Sequence, residues 1–314
     1  MTGRKFIAAP LLVLAGLAIA LPAHSQSQNQ QQQDQPSQGE QILGRILDRL
    51  IGPAPQQPDQ PQQQALTMAE VLAHPRRGAD GARDQYRHPA ETVAFFRVEP
   101  GMTVVDYMPN GWWYSRILVP YLGRSGRYIG MNPDVSRETG YLKNTYDNVA
   151  EKLAAEHAKW ASYDDAAVTG FNTQDYPQGL DGTVDRVLIF REMHNQFRYG
   201  WLNADMLAIR RMLKPDGLVG IVDHRMYEDA PFSMTDGNKG YLRQSDVIDL
   251  MDAYGFDLVA TSEINANPKD PKNWRIGVWE LPPTYAGAPD EAERQRRAAI
   301  GESDRMTLLF RKRD

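Results

Sequence analysis

The sequence predicts an α/β domain built on a seven-stranded, mostly parallel sheet. Two observations carry this. From residue 65 onward, short apolar runs alternate with stretches whose apolar residues recur at helical spacing, the pattern of strands joined by helical crossovers. One run, Asp185-Arg-Val-Leu-Ile-Phe190, is apolar without alternation, as a strand covered on both faces must be. With 41% hydrophobic residues in the chain, the roughly 250 residues after position 64 suffice for one substantial core, so a single domain over 65–314 is expected.

Taken in order, Pro89 presets the first position of a helix that runs to Phe96 and ends at Glu99-Pro100-Gly101. Thr103–Tyr107 is strand one, Ser115–Tyr121 the helix after it, and Tyr128–Met131 strand two. One polar helix, Tyr141–Lys159, leads to a weak strand three at Ala166–Gly170, and Asp185–Phe190 is strand four. The helix Trp201–Leu213 stops at Lys214-Pro-Asp-Gly217, a turn signal whose glycine ends helices, and Leu218–Val222 is strand five. Gln244–Tyr254 is a helix closed by Gly255, followed by strand six at Asp257–Thr261 and a last strand at Met306–Phe310. The long connection 265–304, with Trp274, Trp279 and Tyr285, reads either as a helix and surface loop against the sheet edge or as a lid over the site.

At the N-terminus Arg4 and Lys5 precede an apolar run from Phe6 to Leu21, and Ala23-His24-Ser25 offers a small-x-small cleavage signal. Residues 1–25 therefore read as a secretory signal peptide and the chain as exported, to the periplasm. The run is shorter and richer in Ala and Gly than a stable span, so no transmembrane span is expected after cleavage. Residues 26–64, dominated by Gln, Pro, Ser and Asp, read as a disordered tether. A short amphipathic helix at 40–51, with Ile42, Leu43, Ile46, Leu47, Leu50 and Ile51, interrupts it and either docks on its own domain or makes a weak contact with a partner or membrane surface. The lack of cysteine excludes disulfides, thiolate zinc sites and cysteine nucleophiles. Loss of Arg4 and Lys5 takes the net charge from −5 to −7, the wrong sign for a polyanion binder. Arg294, Arg296 and Arg297 alternate with acids as a solvated helix face does, so no nucleic-acid partner is expected.

Four stretches fall in a meaningful order: Val104-Val-Asp-Tyr-Met-Pro-Asn-Gly-Trp-Trp-Tyr114, Gly130-Met-Asn-Pro-Asp134, Val184-Asp-Arg-Val187 and Leu213-Lys-Pro-Asp-Gly217. In this order the chain resembles class I S-adenosylmethionine (SAM) dependent methyltransferases. Tyr86-Arg-His-Pro-Ala-Glu91, Pro109–Tyr114, His194, Val222-Asp-His-Arg225 and Asn267-Pro-Lys-Asp270 resemble, more narrowly, a bacterial family of predicted, often exported methyltransferases whose turn reads Pro-Gly-Gly-Gly-Trp-Tyr. The resemblance covers about Leu66 to the C-terminus. It implies a Rossmann-like doubly wound sheet with an antiparallel last strand and SAM as cofactor. It also implies cofactor contacts from Asp106, Pro109, Asn110, Gly111 and Trp112 at the turn after strand one, Asn132 at the ribose, and Asn172 and Thr173 at the adenine. The sequence departs from the pattern there. The Gly-x-Gly-x-Gly of the class falls on Met108, Asn110 and Trp112, and two acids fall on Asn132 and Asn172. The Trp112 indole is expected in or beside the cofactor cleft.

Beyond strands four and five, where open α/β sheets bind ligands, lie Arg191, Glu192, His194 and Asn195, then Asp223, His224 and Arg225. A histidine with a carboxylate in reach makes a general base near neutral pH. His194, Asp223 and His224 are therefore the candidate catalytic residues, one imidazole as base and the other oriented by Asp223 or Glu192; each also admits a plain structural role. His88 reads as a helix cap, or with Tyr86 as the near wall of the site. His194, Asp223 and His224 carry metal-binding atoms but lack ligand spacing, so no metal is expected. Two functions follow: methyl transfer from SAM to a small-molecule or peptidic acceptor, or an exported binding or scaffold protein that keeps the fold and has lost SAM.

Overall fold

The computed structural model describes Ala65–Arg313; the expected signal peptide, tether and amphipathic helix lie outside the described residues. The first helix, α1 (Met68–Ala73), is closed at its start by reciprocal hydrogen bonds between Thr67 and Glu70. A 3₁₀ stretch, Pro75–Arg83, leads to α2 (Asp84–Arg87) and α3 (Pro89–Phe95). His88 stands at the cap position of α3 with φ 41°, but its side chain makes no capping hydrogen bond. It turns the chain; it does not cap the helix.

The alternating elements then follow as β1 (Thr103–Tyr107), α4 (Ser115–Leu122), β2 (Arg127–Asn132), α5 (Gly140–Tyr146), α6 (Val149–His157), β3 (Ala167–Asn172) and β4 (Val184–Phe190). After them come α7 (Met193–Arg198), α8 (Leu202–Met212), β5 (Leu213–His224), α9 (Gln244–Ala253), β6 (Phe256–Ser262), α10 (Glu291–Ile300) and β7 (Arg305–Lys312). They form a seven-stranded sheet in the order β3-β2-β1-β4-β5-β7-β6. β1, β2, β3, β4 and β5 pair in parallel, and β7 runs antiparallel between β5 and β6. This is the Rossmann-like, doubly wound sheet with an antiparallel last strand.

The period-two geometry of the strands divides their side chains between two apolar layers. Val105 and Tyr107 of β1, Val187 and Ile189 of β4, and Val219 and Ile221 of β5 enter one cluster. Val104, Leu188, Phe190, Leu218 and Val222 enter the other, against α4 and Phe96. Gly220 is required here, because a Cβ would sit 2.5 Å from the Phe96 ring.

Three elements differ from expectation. The helix expected over Tyr141–Lys159 is two helices, because Asn148 adopts a left-handed conformation (φ 54°) between them. Residues 193–198, after strand four, form α7, so His194 and Asn195 stand on a helix. Lys214-Pro-Asp-Gly217 belongs to β5, which starts at Leu213 opposite Val184 and bulges before rejoining β4.

Candidate functional site

Strand order reverses between β1 and β4, and the carboxyl ends of these strands and β5 border the site. Two cavities share Asn110, Arg191 and Glu192 there. The inner one, of about 20 Å³, is lined by Asp106, Met108, Pro109, Trp113, Tyr114 and Phe190 as well. The outer one, of about 310 Å³, adds Gly111, His194 and His224 from one side and Arg83, Trp279, Glu302 and Ser303 from the other.

The turn after β1 keeps a glycine-like backbone without the glycines. Met108 has φ 50°, Gly111 φ 69° and Trp112 φ 60°. Arg191, at the end of β4, is also left-handed at φ 64°. Such residues persist where surrounding contacts hold them, and they cluster at functional sites. Here Trp113 Nε1 donates to the Asp80 carbonyl at 3.1 Å, and Arg116 bonds the Gly111 carbonyl at 3.0 Å and Asp80 at 2.6 Å. Trp112, expected beside the cofactor, lines neither cavity. It packs half buried on the α4 side of the sheet, while Trp113 and Tyr114 occupy the space at the turn. The Tyr114 ring stacks on Phe190 with centroids 3.4 Å apart.

Asp106 is buried and accepts the Tyr128 hydroxyl at 2.7 Å; burial pushes its carboxyl up to about 7. Glu192, raised by burial too, accepts from Asn195 at 2.5 Å and from Asn110 at 3.4 Å.

Asn132, Asn172 and Thr173 work as internal clamps. The amides of Asn132 and Asn172 both donate to the Tyr146 carbonyl, at 2.7 and 2.8 Å. Asn172 also donates to the Pro133 carbonyl and accepts the Val149 N–H. Thr173 donates its hydroxyl to Asp205 at 2.7 Å. These bonds hold the end of α5 over β2 and β3, where Tyr146 meets Trp201 edge to face and joins Met108, Met131 and Val135 in the core.

On the β5 side the three catalytic candidates come together. Asp223, fully buried, accepts the His194 backbone N–H at 2.8 Å and faces His194 Nδ1 at 3.0 Å. It also accepts the His224 N–H at 2.7 Å. His224 Nδ1 meets Ser303 Oγ at 2.5 Å, and the two imidazoles lie 5.3 Å apart. Burial, then the nearby His194 and Arg191, hold His224 well below the usual histidine range, so it stays neutral. Although no ligand spacing marks them in sequence, His194, Asp223 and His224 bring potential metal-binding atoms within 4.8 Å of one another. Asp223 and both Nδ1 atoms are already engaged within the protein, which leaves the two Nε2 atoms.

Arg83, Trp279, Glu302 and Ser303 complete the outer cleft and were not singled out as site residues from the sequence. They arrive from distant segments, so no local motif marks them; the aromatic-rich connection 265–304 was the one signal, and it forms the far wall.

The mostly parallel seven-stranded sheet with an antiparallel last strand is the one that the resemblance to class I SAM-dependent methyltransferases implies. No family model matches the chain, and no curated protein matches it. Among solved structures it is similar to a SAM dependent methyltransferase from Aquifex aeolicus (16% identity, 64% of this chain and 94% of that one, TM-score 0.44). It is also similar to the 1,6-didemethyltoxoflavin-N1-methyltransferase of Burkholderia thailandensis, solved with S-adenosylhomocysteine bound (13% identity, 90% and 93% coverage, TM-score 0.43). A third similar structure is the cyclase SpnF (14% identity, 72% and 80% coverage, TM-score 0.44).

The inner cavity at the β1 turn is too small for SAM. Pockets for molecules of that size run from roughly 300 Å³ upward, and the cavity of about 20 Å³ beside Asp106 has room for about one water. Of the side chains that the resemblance assigns to ribose and adenine, Asn132 and Asn172 donate their amides to the Tyr146 carbonyl and Thr173 donates to Asp205, and neither cavity is lined by any of the three.

Proposed function

We propose that the domain binds a small molecule in the outer cleft and withdraws a proton from it with His194, without SAM at the β1 turn. The observation that carries this is the buried Asp223 carboxylate on both the N–H and the Nδ1 of His194. An aspartate there fixes the Nδ1–H tautomer, turns Nε2 into the acceptor, and stabilises the imidazolium as the proton arrives. The cleft of about 310 Å³ is of ligand size, and His194 lines it. His224, kept neutral and tied to Ser303, adds a polar contact beside the reacting atom without a competing charge. The reaction class is proton abstraction from an O–H, N–H or activated C–H group. Export, which we also propose from the N-terminal residues, would place this chemistry outside the cytoplasm.

A second reading, SAM-dependent methyl transfer to a small-molecule or peptidic acceptor activated by the same base, is favoured by one atom. Asn132 Oδ1 is buried without a donor, at the position where the resembled class holds the ribose. Calorimetric titration of the full chain with SAM and with S-adenosylhomocysteine separates the readings. The expected result is no saturable binding of either; micromolar binding would restore the methyltransferase. Nitrogen-15 NMR of the imidazoles tests the base itself: neutral His194 should carry its proton on Nδ1, and Asp223→Asn should abolish that preference. A His194 protonated on Nε2 in the unaltered chain would remove it as the base.

A further inference from the structure

We propose that the outer cleft selects an anionic small molecule, bearing a carboxylate or a phosphate group, through Arg191 with Arg83 beside it. The inference rests on the reading of this cleft as the ligand site and adds the chemical class of what enters it.

The first observation is a surplus of guanidinium groups. Arg83, Arg87, Arg191 and Arg305 surround Glu302: Arg83 bonds it at 2.7 Å, and Arg87 and Arg305 both approach its carboxylate at 3.1 Å. The four arginines face three carboxyl groups, Glu302, Glu192 and Asp106, and burial works against ionisation of Glu192 and Asp106. Asp223 adds one more negative charge, which is held against His194 and His224.

The second observation is unspent donors. Arg87 is 1% exposed and lies over the Trp113 ring at 4.7 Å. Its Nε serves Glu302, while Nη1 and Nη2 are buried with no acceptor. Buried guanidinium N–H groups without partners are costly, and natural structures leave few of them. Arg191 lines both cavities, holds a left-handed backbone, and makes no side-chain hydrogen bond or ion pair among the described residues. An arginine held at a strained backbone and pointing no donor at the protein is arranged for something from outside. The planar fork of a guanidinium suits the paired oxygens of a carboxylate or phosphate.

The third observation is position. Arg191 lines the same outer cleft as His194, His224 and Ser303, so an anion on the guanidinium leaves the rest of its molecule within the cleft that holds the base. Charge would anchor one end of the ligand while His194 acts on the other, which is how a fixed contact converts binding into positioning.

The test is calorimetric titration of the full chain at low ionic strength with inorganic phosphate and, separately, with citrate. At least one should bind saturably, and which one binds distinguishes a phosphate-bearing from a carboxylate-bearing ligand. Arg191→Gln should weaken that binding by roughly tenfold or more, and Arg211→Gln, a surface arginine paired with Asp181, should leave it unchanged. Arg191→Gly, which relieves the left-handed backbone, repeats the loss without straining the fold. Absence of saturable binding of both anions, or binding indifferent to both Arg191 variants, overturns the proposal. If that happens while His194 keeps its Nδ1–H tautomer, only the charge selection fails; a lost tautomer fails the base instead.

Discussion

Met108 and Trp112 hold backbone conformations that glycine adopts freely, at a cost of about 1 kcal/mol or more each. What keeps them there is packing: Met108 is buried in the core and Trp112 lies on the α4 layer. Because Trp112 lines neither cavity, Trp112→Gly should not create SAM binding. A gain of micromolar affinity in that variant, read by calorimetry, would show that the indole does obstruct the site. Asp106 carries a different tension. Its carboxyl titrates at about 7 in the folded chain because of burial, against 3.8 ordinarily. A raised acid favours the folded state below pH 4 and loses that contribution as pH rises to 7, on the order of 2–4 kcal/mol in all. Asp106→Asn still accepts the Tyr128 hydroxyl and has no charge to bury. Urea unfolding should find the variant more stable than the parent at pH 8 but not at pH 4; equal stability at pH 8 would contradict the burial argument.

At the scale of elements, the two acid-to-amide differences acquire a physical reason. A carboxylate cannot donate, and Asn172 donates to two carbonyl oxygens while accepting the first N–H of α6. Asn172→Asp, which restores the residue type of the resembled class, would set a negative charge against the Pro133 and Tyr146 carbonyls. It should cost about 2–3 kcal/mol, measured by urea unfolding at pH 7; a neutral result would mean that α5 is not held by this clamp. None of this was legible in the sequence, because the Tyr146 carbonyl belongs to a helix whose end the polar pattern of Tyr141–Lys159 concealed. Asn148 breaks that pattern by a backbone choice that leaves no mark in hydrophobic periodicity. The strands were legible for the opposite reason. Val104 through Tyr107 and Val187 through Phe190 are buried on both sides of the sheet, so their apolar runs are a direct consequence of the layers they separate. The positions of His194, Asp223 and His224 were legible as well, since they lie at or just past the ends of strands four and five and the fold alone decides where those strands end. Which imidazole Asp223 holds was not: it is His194, and the neighbouring His224 turns to Ser303.

Across the whole molecule, the cleft is closed by contacts between the start and the end of the described chain. Arg83 and Arg87 precede the first strand, while Glu302, 219 positions beyond Arg83, lies just before the last one and Arg305 opens it. Burial works to raise the Glu302 carboxyl, but Arg305, Arg87, Arg191 and Arg83 overcome it and bring it down to about 2. A lowered acid contributes stability that is present above about pH 4.5 and is lost as pH falls toward 2. Glu302 and Asp106 therefore pull in opposite directions, the first failing in acid and the second burdening the fold above neutrality. Glu302→Gln removes the charge that Arg83, Arg87 and Arg305 were buried against, and leaving buried cations unpaired costs about 3–5 kcal/mol. For a domain of this size that corresponds to a fall in melting temperature on the order of 10 °C. Calorimetric melting at pH 7 should show it, and the variant should lose less stability than the parent between pH 5 and pH 3, having no carboxylate there to protonate. Excess phosphate should recover part of the lost melting temperature if an anion in the cleft replaces the missing charge. Melting temperatures that match the parent at pH 7 would mean that the arginines reach water and that the two ends of the chain are joined by packing alone.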